Sequence, residues 1–130
     1  MLLAVGVHYE VLNMASHALR RRSRLTRRIR VAMAVLVALA AHFTETLIFA
    51  LGWLVAIDSD ATSLSITDPT FADLIYFSLS TYTSLGYGDI VPTGSTRLLA
   101  GIESLTGLVL IAWTASFTYM EMREFWNKKA

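Results

Sequence analysis

The chain has 130 residues, of which 55% are hydrophobic and 16% charged, and its net charge is +1. Soluble domains average about 45–50% apolar and about 25% charged residues, so this composition predicts a single small membrane domain. Cysteine is absent, which excludes disulfides, thiolate metal sites and a cysteine nucleophile. The three histidines are scattered, and neither a protein-held metal nor an organic cofactor is predicted.

Residues 1–19 mix apolar and polar side chains, and two interpretations stay open. Glu10, Asn13, Ser16 and His17 share one face of a helical wheel, as in a helix that lies in the membrane interface. The same segment can instead form a third, short span. A secretory signal is not indicated, because the positive charge follows the apolar part instead of preceding it.

Seven arginines lie between Arg20 and Arg30. Arginine at every third position from Arg21 to Arg30 is typical of a voltage-sensing helix, but further arginines fill the positions between them, which should be apolar. The run therefore predicts a cytoplasmic basic collar near anionic lipid head groups. It does not by itself indicate nucleic-acid binding.

Two segments, residues 29–57 and residues 95–122, are apolar enough and long enough to cross a bilayer, which takes roughly 20 residues of helix. We predict an outer helix over the first and an inner helix over the second, with Ser95 as N-cap of the inner helix. A short apolar segment, residues 71–82, lies between them. It is too short to span, and its length suits a re-entrant half-helix buried in protein.

Charge placement predicts the orientation. The arginine run and the terminal Arg123, Lys128 and Lys129 are expected in the cytoplasm by the positive-inside rule. The connection between the spans is expected outside, because it carries several acids: Asp58, Asp60, Asp68, Asp73 and Asp89. Aromatic belts are predicted at the two membrane boundaries, with Trp53 at the outer one and Phe125 and Trp126 at the inner one.

The short segment has the start signals of a helix. Asp68 is predicted as its N-cap and Pro69 as its first-turn residue. Its C-terminal end carries partial negative charge, and pointing this end at a central cavity would favour a cation there.

The stretch after this half-helix, Thr83 to Asp89, alternates glycine with larger residues. An ion that sheds its water in a membrane needs replacement oxygens, and backbone carbonyls of several chains aimed at one axis can provide them. Gly86 and Gly88 permit the required backbone, since glycine reaches positive φ without steric cost. Leu85 and Tyr87 would then point away from the axis, and Ser84 would add a hydroxyl oxygen at the inner end.

This heptapeptide resembles the selectivity filter T-V-G-Y-G-D of two-transmembrane pore-loop potassium channels, and the resemblance extends over residues 29–122. It implies a homotetramer with K⁺ bound at Ser84, Leu85, Gly86 and Tyr87, and with Gly88 completing the filter. Serine and leucine stand where threonine and valine or isoleucine are usual. The hydroxyl is kept at the first position, and γ-branched leucine alters packing at the second.

The resemblance also implies which residues support the filter: Thr83, Asp89, Tyr76, Phe77 and Ser80. Tyr76 and Phe77 resemble the paired tryptophans that flank the filter in many relatives. Asp89 needs a partner if it is buried. We predict a hydrogen bond from the Tyr76 hydroxyl, or otherwise from Ser80.

The inner helix contains Glu103 and Gly107, which resemble an E-x-x-x-G pattern of inward-rectifier-like channels. Glu103 is either functional or kept for structure, protonated or bonded to the half-helix. Close helix packing explains Gly107 better than a moving hinge does. Helical spacing predicts a cavity-lining stripe of Ile111, Ala115 and then Thr118 or Tyr119, with Trp113 and Phe117 facing other helices or lipid.

His42 and Glu45 are spaced i, i+3 in the middle of the outer helix. A proton-sensitive switch is one interpretation. Polar side chains at this depth more often bond to a neighbouring helix, which we favour.

Together these patterns predict an all-α membrane protein that conducts K⁺ passively and is not an enzyme. A weakly selective cation channel and a non-conducting membrane subunit remain alternatives. We expect an N-terminal helix and basic segment over residues 1–28, a pore domain over residues 29–122 and a short cytoplasmic tail over residues 123–130. With no ligand-binding domain expected, a leak-type or simply gated pore in the plasma (inner) membrane is predicted.

Overall fold

The computed structural model describes residues 1–21, 26–58 and 63–127. They form the helices α1 (Leu2–Arg21), α2 (Arg27–Asp58), α3 (Phe71–Tyr82) and α4 (Arg97–Asn127), and the strands β1 (Ser63–Leu64) and β2 (Pro92–Thr93). The predicted all-α class is confirmed. Some predictions fall outside the described residues or side chains, namely those for Arg20, Arg22, Arg24, Arg27, Asp58, Asp60, Phe125, Trp126, Lys128 and Lys129.

Among the described residues, two helical segments are long and apolar enough to cross a membrane, Arg28–Ile57 and Gly94–Arg123. They contain both predicted spans. The predicted N-cap Ser95 is wrong, because a 3-10 turn over Gly94–Thr96 precedes α4. The Thr96 hydroxyl donates to the Thr93 carbonyl at 2.7 Å and closes this turn. At its other end α4 continues to Asn127, beyond the predicted limit.

The predicted start of α3 is also wrong. Thr70 is the N-cap, and its side chain accepts a hydrogen bond from the Asp73 amide while Asp73 accepts one from the Thr70 amide. This reciprocal capping box satisfies two donors that the first turn leaves unpaired. These bonds also lower the pKa of Asp73, with the Thr70 side chain contributing most. Asp68 instead takes a left-handed conformation, φ 49°, two residues before the cap.

Residues 43–109 form one compact unit. Its core consists of Ala50 and Trp53 of α2 packed with Leu74 and Phe77 of α3. The Trp53 and Phe77 rings meet edge to face at 5.0 Å. Trp53 is 0% exposed, so its predicted place in an aromatic belt is wrong. The reason is its indole N–H, which finds a buried acceptor in α4.

A second compact unit contains residues 2–42 and the chain from residue 110 onward. Here α1 buries one face at helical spacing, made of Ala4, His8, Leu12, Ala15 and Leu19.

Within this second unit, both α1 and α2 bond to α4. The Nε2 atoms of His8 and His42 lie 3.3 and 3.0 Å from the Thr114 hydroxyl. Ser16 donates to Glu121 at 3.2 Å. Since His8 meets Thr114 and Ser16 meets Glu121, α1 runs in the same direction as α4 and lies along it.

The capping box gives a first test. Thr70→Ala should lower the free energy of unfolding by about 0.5–2 kcal/mol, the usual cost of losing such a cap. Thr67→Ala, in the exposed bend before it, is the matched control and should change stability little. Thermal unfolding of both variants in detergent measures the difference, and equal melting temperatures would contradict the role of the cap.

Candidate ion-conduction site

The segment between α3 and β2 has an unusual backbone. Ser84, Gly86 and Gly88 have positive φ values of 58°, 55° and 83°. In an ordinary strand no residue needs this conformation, and a residue with a side chain rarely adopts it. Glycine supplies it freely at two of the three positions. The left-handed residues therefore alternate with Leu85 and Tyr87, as the glycine spacing predicts.

The amide groups of this segment point back to the end of α3. The amides of Leu85 and Gly86 both donate to the Ser80 carbonyl, at 2.9 and 3.2 Å, and the Ser84 amide donates to Thr81 at 3.0 Å. The Tyr87 amide donates to the Ser80 hydroxyl at 3.3 Å.

The carbonyl oxygens of residues 84–87, unlike the amides, have no partner in α3. No hydrogen bond from the described parts of the chain reaches the carbonyls of residues 84–87. The segment thus presents its donors to α3 and keeps a row of backbone acceptors available, which is the chemistry that a dehydrated cation requires.

Asp89 follows the segment and is held as predicted. The Tyr76 hydroxyl donates to its carboxylate at 2.8 Å. This bond is the largest cause of a raised pKa at Tyr76. The Tyr76 ring also stacks on Tyr87 with an interplanar angle of 7°. Ser80, the second predicted donor, serves the Tyr87 amide instead.

The outer end of the segment is fastened to the loop before α3. Strands β1 and β2 pair antiparallel, with Leu64 opposite Pro92. Ser65 extends the pairing, because its amide donates to the Val91 carbonyl at 2.9 Å and its hydroxyl accepts from the Val91 amide at 3.0 Å. Ser65 therefore holds the chain at Val91, two residues after Asp89.

Glu103 joins three helices. Its carboxylate accepts a hydrogen bond from the Trp53 indole at 2.7 Å and another from the Ser78 hydroxyl. Ser78 also donates to the Thr46 carbonyl at 3.0 Å. Glu103 is 0% exposed, so the bonds from α2 and α3 compensate the cost of burying it. The structural interpretation of Glu103 is thereby supported by geometry.

His42 and Glu45 each bond to another helix, as favoured from the sequence. Within residues 43–109, Glu45 accepts a hydrogen bond from the Tyr82 hydroxyl at the end of α3. Within the second unit, the His42 ring bonds to Thr114 of α4.

Gly107 lies where α4 meets the end of α3. A Cβ atom at this position would stand 1.9 Å from the Tyr82 carbonyl oxygen, far inside contact distance. Close packing thus accounts for this glycine, in agreement with the interpretation favoured from the sequence.

Past Gly107, α4 exposes Ile111, Ala115 and Tyr119, and half-buries Thr118. Trp113 packs beside His8 of α1, with ring centroids 5.3 Å apart. The predicted cavity stripe is compatible with this arrangement and stays a prediction.

Several polar partners could not be predicted individually. Ser78 and Trp53 bind Glu103, Ser65 clamps Val91, and Ser104 reaches the Ser84 hydroxyl at 2.7 Å. The available signal is general: a polar side chain inside an apolar helix needs a partner, but its spacing does not say which helix supplies it.

Comparison with known proteins decides the family. A family model described as "Ion channel" matches residues 36–124, which include α3, the segment after it and most of both spans. The chain belongs to this ion channel family. The resemblance to pore-loop potassium channels drawn from the filter sequence is thereby confirmed.

A curated relative adds a local match. The chain is 45% identical over 42 residues to the "Two-pore potassium channel 4" of Arabidopsis thaliana. The match covers 32% of this chain and 15% of the relative, so it concerns a small part of that protein. No solved structure matches the chain significantly.

Glu103 gives a test of how this ion channel fastens its helices. Glu103→Ala removes the acceptor of two buried donors and should lower the free energy of unfolding by roughly 1–3 kcal/mol. Glu103→Gln keeps an acceptor oxygen and should cost less. Glu10→Ala, on the exposed side of α1, is the control. Melting temperatures in detergent rank the variants, and an Ala variant as stable as Glu10→Ala would refute the fastening role.

Two glycines of α4, Gly107 and Gly101, allow a matched test of the close contact with α3. Gly107→Ala places its methyl group into the Tyr82 carbonyl and should destabilise the channel by about 1–3 kcal/mol or more. Gly101→Ala, in the same helix with nothing within 4 Å of its Cβ, should instead be neutral or stabilising by up to about 1 kcal/mol. The free energies of unfolding of the two variants, measured side by side, distinguish a steric requirement at Gly107 from a general destabilisation of α4 by alanine.

Proposed function

We propose that the chain is one subunit of a potassium-selective channel that conducts K⁺ passively across a membrane. The observation that carries the proposal is the backbone of residues 84–87, whose amides bond to the end of α3 while their carbonyls remain available. Membership of the ion channel family and two helices able to span a membrane support it.

The proposed ion ligands are the backbone carbonyls of Ser84, Leu85, Gly86 and Tyr87, together with the Ser84 hydroxyl; Gly88 completes the filter. Rings of such oxygens replace the hydration shell of the ion. The relative with the local match is a potassium channel, which favours K⁺ as the permeant ion. Neither Ser84 nor Leu85 removes an oxygen from the filter.

The proposed supporting residues lie around the filter segment, residues 84–88. Thr83, Tyr76, Ser80 and Asp89 bond to it or to α3 next to it, and Phe77 packs behind them on Trp53. Glu103 and Gly107 fix α4 against α3, and the cavity below is assigned to a stripe of Ile111, Ala115 and Thr118.

Four identical chains are proposed around one axis, because one strand supplies only a quarter of each oxygen ring. The exposure of Leu85 and Tyr87, 57% and 67% in the single chain, supports this assembly. Large side chains exposed along the proposed filter need neighbours, and adjacent subunits would provide them.

We further propose the organisation expected from the sequence: residues 1–28 as N-terminal helix and basic segment, residues 29–122 as pore domain and residues 123–130 as a cytoplasmic tail. The basic residues at both ends favour the inner face of a plasma (inner) membrane for the C-terminus. Leak-type or simple gating is the proposed mode. No covalent chemistry is required.

The selectivity proposal is tested by the reversal potential under opposed sodium and potassium gradients. Purified channel in bilayers should reverse near the potassium equilibrium potential. If packing at Leu85 loosens the filter, the potential moves toward zero and Leu85→Val restores it. Leu51→Val, at an exposed position of α2, is the matched control. A potential near zero in the native channel would refute potassium selectivity, and one that stays near zero in Leu85→Val would also refute packing at Leu85 as the cause.

The assembly is tested by native mass spectrometry from detergent. A mass of four chains, each 14.4 kDa, is expected. Only monomers and dimers, found under conditions where the same preparation conducts ions, would contradict the homotetramer.

A further inference from the structure

The hydroxyl at the inner end of the filter is held by the inner helix. The Oγ atoms of Ser84 and Ser104 lie 2.7 Å apart, the ideal length of an O–H···O hydrogen bond. The two residues are 20 positions apart in the chain, so this bond depends on how α4 packs beside the filter.

The hydroxyls of Thr83 and Ser80 bond instead within α3 and the segment that follows it. The Thr83 hydroxyl donates to the Leu79 carbonyl at 2.7 Å, and the Ser80 hydroxyl accepts from the Tyr87 amide. Within the described part of the filter and its supports, Ser84 thus differs in depending on another helix. It is also the proposed ligand whose oxygen sits on a rotatable side chain.

We propose that Ser104 is a positioning residue that sets the cation affinity of the innermost ion site, an inference that rests on the proposed function. A serine hydroxyl rotates among three staggered positions. When Ser84 donates its proton to Ser104, its oxygen is fixed in one of them and its lone pairs remain free for a cation. A fixed ligand binds more tightly than a mobile one, because less conformational entropy is lost on binding.

A purely structural role for the Ser104 bond is disfavoured by its surroundings. The preceding residue, Glu103, already ties α4 to Trp53 and Ser78 through buried bonds. Gly107 already brings α4 into contact with the end of α3. The position of α4 is therefore determined without Ser104, whose hydroxyl is left to act on Ser84.

Block by Ba²⁺ from the inner side measures the innermost site directly. Ba²⁺ has nearly the radius of K⁺ and twice its charge, so it binds strongly to oxygens arranged for K⁺. Ser104→Val should weaken Ba²⁺ block about fivefold, the effect of losing one hydrogen bond of average strength. Ser104→Thr has nearly the same shape as valine but keeps the hydroxyl, and should resemble the native channel.

Two further variants complete the design. Ser116→Ala removes a hydroxyl from the same helix, one that donates to the Ala112 carbonyl of its own helix at 3.2 Å, and should leave block unchanged. In a Ser84→Ala background, Ser104→Val should have no further effect, because the ligand that it positions is gone.

Each outcome bears on the proposal. Equal Ba²⁺ affinity of the Val and Thr variants would overturn it, and so would a Val effect that persists in full without the Ser84 hydroxyl. The reversal potential of the native channel is recorded in the same bilayers. If that channel does not select K⁺ but the Val–Thr difference in block is present, the proposed function fails and the positioning role stands.

Discussion

Backbone amides at membrane depth must find partners inside the protein, because lipid offers none. The segment after α3, which we propose as the filter, does not pair its amides as a strand in a sheet does. It uses the end of α3 instead, where the last carbonyls of a helix have no partner within the helix. Ser80 contributes both its carbonyl and its hydroxyl to this purpose. The carbonyls at the end of α3 and the amides of the segment after it thus satisfy each other.

Buried polar side chains determine how the helices around α3 meet. Apolar surfaces alone do not select one helix pairing in a membrane, since lipid tails are as apolar as leucine. Glu103 binds donors from α2 and α3, and Glu45 accepts from Tyr82. These bonds have direction, so they favour one register of the helices over its neighbours. Gly107 then lets α4 approach Tyr82 more closely than any residue with a Cβ could.

Patterns within one segment were predictable, and contacts between segments were not. Hydropathy located both spans, and the glycine spacing located the left-handed residues at Gly86 and Gly88. The Tyr76–Asp89 bond followed from the need of a carboxylate for a donor. Trp53 was misplaced in an aromatic belt, because a tryptophan at a membrane boundary and one that donates to a buried glutamate look the same in sequence. The helix starts were wrong for local reasons: Thr70 with Asp73 outcompetes Asp68, and a 3-10 turn displaces the start of α4.

The left-handed backbone at Ser84, φ 58°, bears on what evolution and engineering can place there. Threonine, the usual residue of related filters, is branched at Cβ, and a β-branched side chain at positive φ is sterically strained. Serine supplies the same hydroxyl without that branch. Replacing it by the residue usual in the family, a common route to stabilising proteins, would here introduce backbone strain at Ser84. Serine therefore suits the local backbone at this position better than threonine would, so the backbone conformation limits which residues can supply this hydroxyl.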